Sequence, residues 1–256
     1  MNIVAIVQAR MGSSRLPGKV LLDIAGKPMI QHVYERAVQS GATEVVIATD
    51  DERIRQVAAD FGAMVCMTAA HHPTGTDRLA EVARLRGYTS QHIIVNLQGD
   101  EPLMPPALIR QVAENLQSHP QASAATLCER ITSSAELFDP HLVKVVMDKQ
   151  GYALYFSRAA IPWDRDAFMQ APDTQPRILP ARSDHYRHIG LYAYRAEFLQ
   201  DYVQWPPCII EQTESLEQLR ILWNGHRIHV AEALENPGIG VDTPDDLARV
   251  QQFMKS

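Results

Sequence analysis

The feature that most constrains the fold is an apolar run, Ile3–Val7, followed directly by a loop rich in glycine and cations. The run is mostly β-branched, which is typical of a strand covered on both faces of a parallel sheet. The loop, residues 8–19, contains Arg10, Arg15 and Lys19 with two glycines and two serines. Such a loop after a buried strand favours phosphate binding, and triphosphate suits its charge. An ordinary solvated basic loop is the alternative interpretation.

Further along the chain, strand-like runs alternate with amphipathic helical segments. This alternation predicts an α/β fold, with a mostly parallel central sheet flanked by helices in a Rossmann-like arrangement. In such a sheet the functional edge lies beyond the carboxyl ends of the strands. The predicted strands are 3–7, 44–49, 63–67, 92–97, about 124–127 and 228–233, and the predicted helices include 28–39, 76–86, 105–118, 196–203, about 213–224 and 244–254.

The pattern changes in the middle of the chain. Residues 143–147 and 152–157 are strand-like and separated by Asp-Lys-Gln-Gly, a composition that favours a hairpin. Residues 161–187 are proline-rich and aperiodic, and strand character returns at 189–194. We therefore expect a single domain over residues 1–256, with a smaller β-ribbon lobe at about 143–194.

Composition limits the classes of partner. The chain has 24 basic and 30 acidic residues among 256, a net charge of −6, which disfavours nucleic acid as a partner. Cys66, Cys128 and Cys208 lie far apart without a Cys-x-x-Cys motif, which argues against a disulfide framework and a zinc site. No apolar segment approaches about 18 residues. We expect a cytoplasmic protein that does not bind membranes.

Two aspartates are candidates for a metal site. Asp100 follows a predicted strand directly after Gln98 and Gly99, where backbone and side-chain oxygens can converge on a hard cation such as Mg²⁺. Asp242 precedes a helix for which Thr243 is a suitable N-cap. The pair suggests a metal held from two sides. The alternatives are a turn aspartate at Asp100 and a helix-start residue at Asp242.

Three other segments can be interpreted from their residues. Residues 74–78 open a helix and can bind a base or sugar edge, or only cap the helix. Residues 157–165 place two arginines around an aromatic residue and a proline, for an anionic acceptor or for a surface ion pair. Glu211, Glu214 and Glu217 have helical spacing, which indicates one solvated face of a helix.

Taken together, these motifs resemble the 3-deoxy-manno-octulosonate cytidylyltransferase family, also called CMP-Kdo synthetases. The resemblance spans nearly the whole chain in the expected order. Its most specific blocks are Gln-Gly-Asp-Glu-Pro at 98–102 and Ser-Arg-x-x-Ile-Pro-Trp at 157–163. The other matching blocks are 9–10, 15–19, 26–30, 48–50, 75–76, 187–192, 216–220 and 241–247.

The resemblance implies a nucleotide-diphospho-sugar transferase fold that usually dimerises. It also implies transfer of CMP from CTP to the 2-hydroxyl of Kdo, with release of pyrophosphate. Arg10, Lys19, Asp100 and Asp242 are the implied catalytic residues, and Asp100 and Asp242 would hold Mg²⁺. The implied CTP contacts are Ala9, Arg10, Met11, Arg15, Lys19, Thr74, Gly75, Thr76 and Arg78, and the implied Kdo contacts are Gln98, Arg158, Arg165, His188, Tyr192 and Glu217.

The sequence also departs from the family pattern. Gln8 stands where proline is common, Met11-Gly12 replaces an aromatic-alanine pair, and Gln212 replaces a common histidine. The start of the loop also resembles spore-coat polysaccharide nucleotidyltransferases. Residues 167–184 align with no family motif. The alternative functions are CTP-dependent activation of 8-amino-Kdo or a sialic acid, and a non-catalytic nucleotide-binding module.

Overall fold

The computed structural model describes residues 2–13, 15–169, 179 and 184–254. Most of the segment without a family motif, 167–184, lies outside these ranges. The strands are β1 (Asn2–Ala9), β2 (Asp23–Ile24), β3 (Lys27–Pro28), β4 (Glu44–Thr49), β5 (Met64–Met67), β6 (His92–Gln98), β7 (Ala124–Arg130), β8 (Lys144–Met147), β9 (Ala153–Ser157), β10 (Tyr186–Arg195) and β11 (Ile228–Glu232). The α-helices are α1 (Met29–Gln39), α2 (Glu52–Asp60), α3 (Gly75–Arg86), α4 (Pro106–Ser118), α5 (Ser134–Phe138), α6 (Arg165–Phe168), α7 (Ala196–Tyr202), α8 (Ile209–Glu214), α9 (Leu219–Trp223) and α10 (Pro244–Phe253).

A mixed, mostly parallel sheet forms the centre of the fold. Its order is β11-β7-β10-β6-β1-β4-β5, with β8 paired to β10 and β9 paired to β8. Strand β10 runs antiparallel between β6 and β7, whereas β1 is parallel to both β4 and β6. The register places Gln8 beside Gln98, so the loop after β1 and the loop after β6 begin side by side.

Helices cover both faces of this sheet. In β1, Ala5 and Val7 pack in the cluster that includes residues of α1 and α4, whereas Val4 and Ile6 pack in the cluster that includes residues of α3 and α7. Alternate side chains of one strand are thus buried on opposite faces. This explains why the strand has an uninterrupted apolar sequence.

The predicted hairpin joins the sheet through β10. Asp148 Oδ1 accepts hydrogen bonds from the backbone amides of Gln150 and Tyr152, and Gly151 has a φ of +80°. The turn composition therefore fits the backbone that connects β8 to β9. Strand β10 begins at Tyr186, three residues before the predicted start, and lies inside the central sheet.

Two helix predictions need correction. The predicted helix at about 213–224 is two short helices, α8 and α9, because Ser215 adopts a left-handed backbone with a φ of +52°. Pro28 is the N-cap residue of α1 and not a residue of its first turn. Thr243 caps α10 through the backbone amide of Asp246, as predicted, and Pro244 is its first residue.

Two further sequence expectations concern the cysteines and the membrane. Cys66, Cys128 and Cys208 are buried free thiols, as the sequence indicated. In the described part of the chain, every helix is too short or too polar to cross a bilayer.

A buried ion pair connects α8 to α9. Arg220 Nε donates to Glu211 Oε2 at 2.8 Å, a second guanidinium nitrogen donates to Glu211 Oε1, and both residues are buried. Glu211→Ala would leave this guanidinium without its carboxylate partner. We expect a loss of about 3–5 kcal/mol in the free energy of unfolding, measured by urea denaturation.

Glu52→Ala is the matched control, because Glu52 pairs with Arg55 on the exposed surface of α2. We expect no measurable loss of stability from it. Equal effects of the two substitutions would contradict a structural role for the buried pair.

Candidate active site

A cavity of about 470 Å³ lies at the carboxyl ends of β1 and β6. It is lined by residues from the loop after β1, the start of α3, the loop after β6 and the connection between α8 and α9. The lining residues are Gln8, Arg10, Gly12, Ser13, Arg15, Lys19, Val20, Thr74, Gly75, Gln98, Gly99, Asp100 and Glu217. The cavity therefore lies at the sheet edge where the sequence predicted the function.

The loop after β1 folds back on itself. The backbone amide of Gly18 donates to the carbonyl of Met11 at 3.2 Å, and Gly18 has a φ of +67°, which favours glycine. Arg10 is exposed and lines the cavity. Arg15 is 62% exposed and reaches Asp242 Oδ2 at 3.0 Å. The loop thus directs cations toward one cavity.

The ammonium of Lys19 lies between the two predicted metal ligands. Lys19 Nζ is 2.5 Å from Asp100 Oδ2 and 2.8 Å from Asp242 Oδ1, and it donates to the carbonyl of Val241 at 3.0 Å. Burial alone would lower the pKa of Lys19, but the hydrogen bonds to Asp100 and Asp242 raise it above its usual value. Lys19 is therefore a charged member of the site.

Backbone hydrogen bonds bring the two aspartates together. The amide of Gly99 donates to the carbonyl of Gln8 at 2.9 Å, which holds the loop after β6 against the end of β1. The amide of Val241 donates to the carbonyl of Asp100 at 2.8 Å, which holds the segment before α10 against that loop. The two carboxylates therefore meet although 141 residues separate them in the sequence.

The donor set fits a divalent cation. Asp100 and Asp242 direct oxygens at one positive charge, the Lys19 ammonium, so the same oxygens can serve a metal ion. The described residues contain no group of three or more His, Cys, Asp or Glu side chains arranged for a metal. Two carboxylates suit Mg²⁺, which takes its other ligands from water and substrate phosphates.

Glu101 is a member of this region to which the sequence assigned no role. Its Oε2 atom is buried without a hydrogen-bond partner among the described residues. Burial, with the charges of Asp100 and Asp242, raises the pKa of Glu101 to about 8. The sequence did not indicate this environment, because it shows only a glutamate before a proline in a turn.

Among the predicted nucleotide-binding residues near α3, two line the cavity and two are buried. Thr74 caps α3 in a capping box with Asp77, and both Thr74 and Gly75 line the cavity. Thr76 and Arg78 are buried, and Arg78 donates to Thr68 Oγ1 at 2.6 Å. The start of α3 faces the cavity, whereas the Arg78 side chain packs inside the protein.

Two residues, one at the end of β1 and one in the loop that follows, complete the predicted nucleotide set. Ala9 is buried at the end of β1. Met11 lines a smaller neighbouring cavity of about 270 Å³, whose wall also includes Arg10 and Asp50.

The predicted Kdo residues fall into two groups. Gln98 and Glu217 line the cavity. Arg158, Arg165, His188 and Tyr192 are not among its lining residues.

The members of the second group have other contacts. Arg158 Nε donates to the carbonyl of Glu214 at 2.8 Å, and Arg165 is mostly exposed beside Asp166. His188 Nε2 lies 3.0 Å from Thr126 Oγ1, and burial lowers the pKa of His188 to about 3. His188 is therefore neutral near pH 7. Tyr192 is buried, with its ring centroid 5.2 Å from that of His188.

The three glutamates at helical spacing have three different environments. Glu211 pairs with Arg220, Glu214 accepts hydrogen bonds from Ser157 Oγ at 2.6 Å and the Arg158 amide at 3.0 Å, and Glu217 faces the cavity. Glu217 accepts a hydrogen bond from Thr76 Oγ1, and burial raises its pKa. The expectation of one solvated glutamate face is wrong, because the helix ends at Glu214.

The fold and the site define the chain as a nucleotidyltransferase. The sequence profile of the cytidylyltransferase family matches residues 4–228. Over 253 residues the chain is 55% identical to the 3-deoxy-manno-octulosonate cytidylyltransferase of Coxiella burnetii, covering 99% of this chain and 100% of the relative. It is 56% identical to that of Vibrio vulnificus over 254 residues, covering 99% and 98%. The chain belongs to the 3-deoxy-manno-octulosonate cytidylyltransferase family, as the sequence resemblance predicted.

Solved structures agree with this assignment. The structure of CMP:2-keto-3-deoxy-manno-octonic acid synthetase complexed with CTP has a TM-score of 0.89 to this chain at 44% identity, covering 100% of this chain and 99% of the other. A cytidylyltransferase from Leptospira borgpetersenii has a TM-score of 0.63 at 17% identity, covering 100% and 87%, and shares the fold. The predicted α/β fold class is confirmed.

Gly99 is required by the close approach of two backbones. A Cβ atom at Gly99 would lie 2.6 Å from the carbonyl oxygen of Gln8, whereas one at Gly240 would meet nothing closer than the Asp100 carbonyl oxygen at 3.8 Å. We expect Gly99→Ala to lower the free energy of unfolding by about 1–3 kcal/mol through this overlap. Gly240→Ala, in the same site, should change it little. Urea denaturation compares the two, and equal stabilities would contradict the close-approach argument.

Proposed function

We propose that the protein transfers CMP from CTP to the 2-hydroxyl of Kdo, giving CMP-Kdo and pyrophosphate for lipopolysaccharide biosynthesis. The observation that carries this proposal is the cavity in which Lys19 faces both Asp100 and Asp242 in a member of this family. The wall of this cavity combines cations for a triphosphate with the Asp100 carboxylate for a metal ion. Asp242 is not a lining residue, but it pairs with Arg15 and Lys19 of this wall.

The cations of the loop after β1 bind the phosphates in this proposal. Arg10, Arg15 and Lys19 neutralise the triphosphate and hold the leaving pyrophosphate in line with the attacking oxygen. Ala9, Met11 and residues 74–78 bind the nucleoside. The acceptor hydroxyl attacks the α-phosphorus directly and loses its proton to solvent. A bond forms between the acceptor oxygen and the α-phosphorus, the bond from the α-phosphorus to the α–β bridging oxygen breaks, and that oxygen leaves with the pyrophosphate. No protein nucleophile takes part.

Mg²⁺ is the proposed cofactor, held by Asp100 and Asp242. When bound, it supplies positive charge to the phosphates and lowers the pKa of the attacking hydroxyl. The two carboxylates are already oriented toward a cation, which supports this assignment.

Kdo is proposed to bind on the side of Gln98 and Glu217, with Arg158, Arg165, His188 and Tyr192 toward the β8–β9 ribbon. The arginines suit the Kdo carboxylate, because guanidinium groups bind carboxylates with two hydrogen bonds. His188 is neutral in its buried position, so it can contribute a hydrogen bond but not a charge.

We also propose that the enzyme is a cytoplasmic homodimer. The resemblance to a fold family whose members usually dimerise supports this proposal. Light scattering coupled to size-exclusion chromatography measures the mass, and a monomer at micromolar concentration would contradict this proposal.

Pyrophosphate release tests the proposed reaction. Purified protein is mixed with CTP, Mg²⁺ and Kdo, and parallel reactions contain 8-amino-Kdo, a sialic acid or no acceptor. We expect release that depends on the acceptor and is fastest with Kdo. Preference for another acid would reassign the substrate, and the absence of release with all three would leave the binding-module alternative.

Asp100→Asn tests the metal carboxylate. The substitution keeps the shape of the side chain but removes its charge, so we expect kcat to fall at least about a hundredfold, with a smaller effect on CTP binding. Steady-state kinetics and calorimetry measure these two quantities. Asp245→Asn, on the exposed start of α10, is the control and should retain activity. An unchanged kcat in Asp100→Asn would contradict the metal role.

A further inference from the structure

The contacts of Lys19 carry an inference about how the metal site is loaded, which rests on the proposed assignment of Asp100 and Asp242 to Mg²⁺. We propose that Lys19 is a built-in counterion that occupies the position between the two carboxylates in the free enzyme. A divalent cation then reaches both carboxylates only after the triphosphate of CTP has drawn the ammonium away.

Three protein oxygens surround the Lys19 ammonium in this position. An ammonium has three N–H donors. Lys19 Nζ donates hydrogen bonds to Asp242 Oδ1 at 2.8 Å and to the Val241 carbonyl at 3.0 Å, and it forms an ion pair with Asp100 Oδ2 at 2.5 Å. A phosphate oxygen would have to take the place of one of these oxygens. Lys19 therefore exchanges protein contacts for phosphate contacts when it binds the triphosphate.

The same carboxylate oxygens cannot serve the ammonium and a divalent cation together. Mg²⁺ binds oxygens at about 2.0–2.1 Å, so an ion shared by Asp100 and Asp242 would lie against the Lys19 ammonium. Only 10% of the Lys19 side chain is exposed, so water screens this repulsion poorly. Metal and ammonium therefore compete for one position.

The triphosphate resolves this competition. Its oxygens offer Lys19 new acceptors and offer the metal further ligands, and the flexible four-carbon stem of lysine lets the ammonium move while the backbone stays in place. Each ligand then favours binding of the other. Because such coupling is reciprocal, metal binding without nucleotide should be weak.

Binding of Mn²⁺ alone, without nucleotide, tests the proposal. Electron paramagnetic resonance measures free Mn²⁺ during titration of the wild-type protein and of Lys19→Met. We expect Lys19→Met to bind Mn²⁺ at least about tenfold more tightly, because the competing charge is gone. Arg10→Met is the matched control. It removes one charge from the same cavity, but in the described part of the chain Arg10 forms no ion pair with either carboxylate, so its gain should be much smaller.

Three results would overturn the proposal. They are unchanged or weaker Mn²⁺ binding by Lys19→Met, an equal gain in Arg10→Met, and tight binding that survives in Lys19→Met/Asp100→Asn. Circular dichroism verifies folding, and Lys19→Gln, which keeps an N–H donor, replaces Lys19→Met if that variant does not fold. If the proposed function is wrong, the result differs from these three, because the wild-type protein would then release no pyrophosphate from CTP, Mg²⁺ and Kdo.

Discussion

The site depends on one ammonium group that joins three distant parts of the chain. Lys19 is the last residue of the loop after β1, Asp100 follows β6, and Asp242 precedes α10, 223 residues after Lys19. Below this contact, Ile24, Met29, Val241 and Val250 form a small apolar cluster. The irregular segment before α10 is thus held by the ion pairs of Asp242 and by the apolar packing of Val241. A polar site can form there because the backbone around it is fixed.

Local patterns predicted most of the fold, because the order of apolar and polar residues in each strand and helix reflects which of its faces are buried. The apolar run of β1 and the caps of α3 and α10 are examples. The position of β10 was not predictable in this way. Its antiparallel pairing with β6 and β7 depends on contacts between distant parts of the chain. The sequence pattern of a strand is the same in a ribbon and in the centre of a sheet.

The candidate site was predictable to the extent that its chemistry lies at the ends of strands. Lys19, Asp100 and Gln98 could be found because parallel strands end at one edge. The glutamates 211, 214 and 217 could not be told apart by spacing, since a left-handed residue at Ser215 breaks the helix that the spacing implies. Glu101 was missed because its environment is made mainly by burial and also by Asp242, which is distant in the sequence, in addition to its neighbour Asp100.

The charge balance of the cavity explains why nucleotide and metal should act together. Before any ligand binds, Arg15 and Lys19 are already paired with Asp100 and Asp242, so little free positive charge remains for a triphosphate. A triphosphate adds several negative charges to a protein whose net charge is −6. The lysine alone cannot neutralise both the phosphates and the carboxylates. In the proposed mechanism, a divalent cation at the carboxylates would restore this balance once the triphosphate has drawn Lys19 to the phosphates.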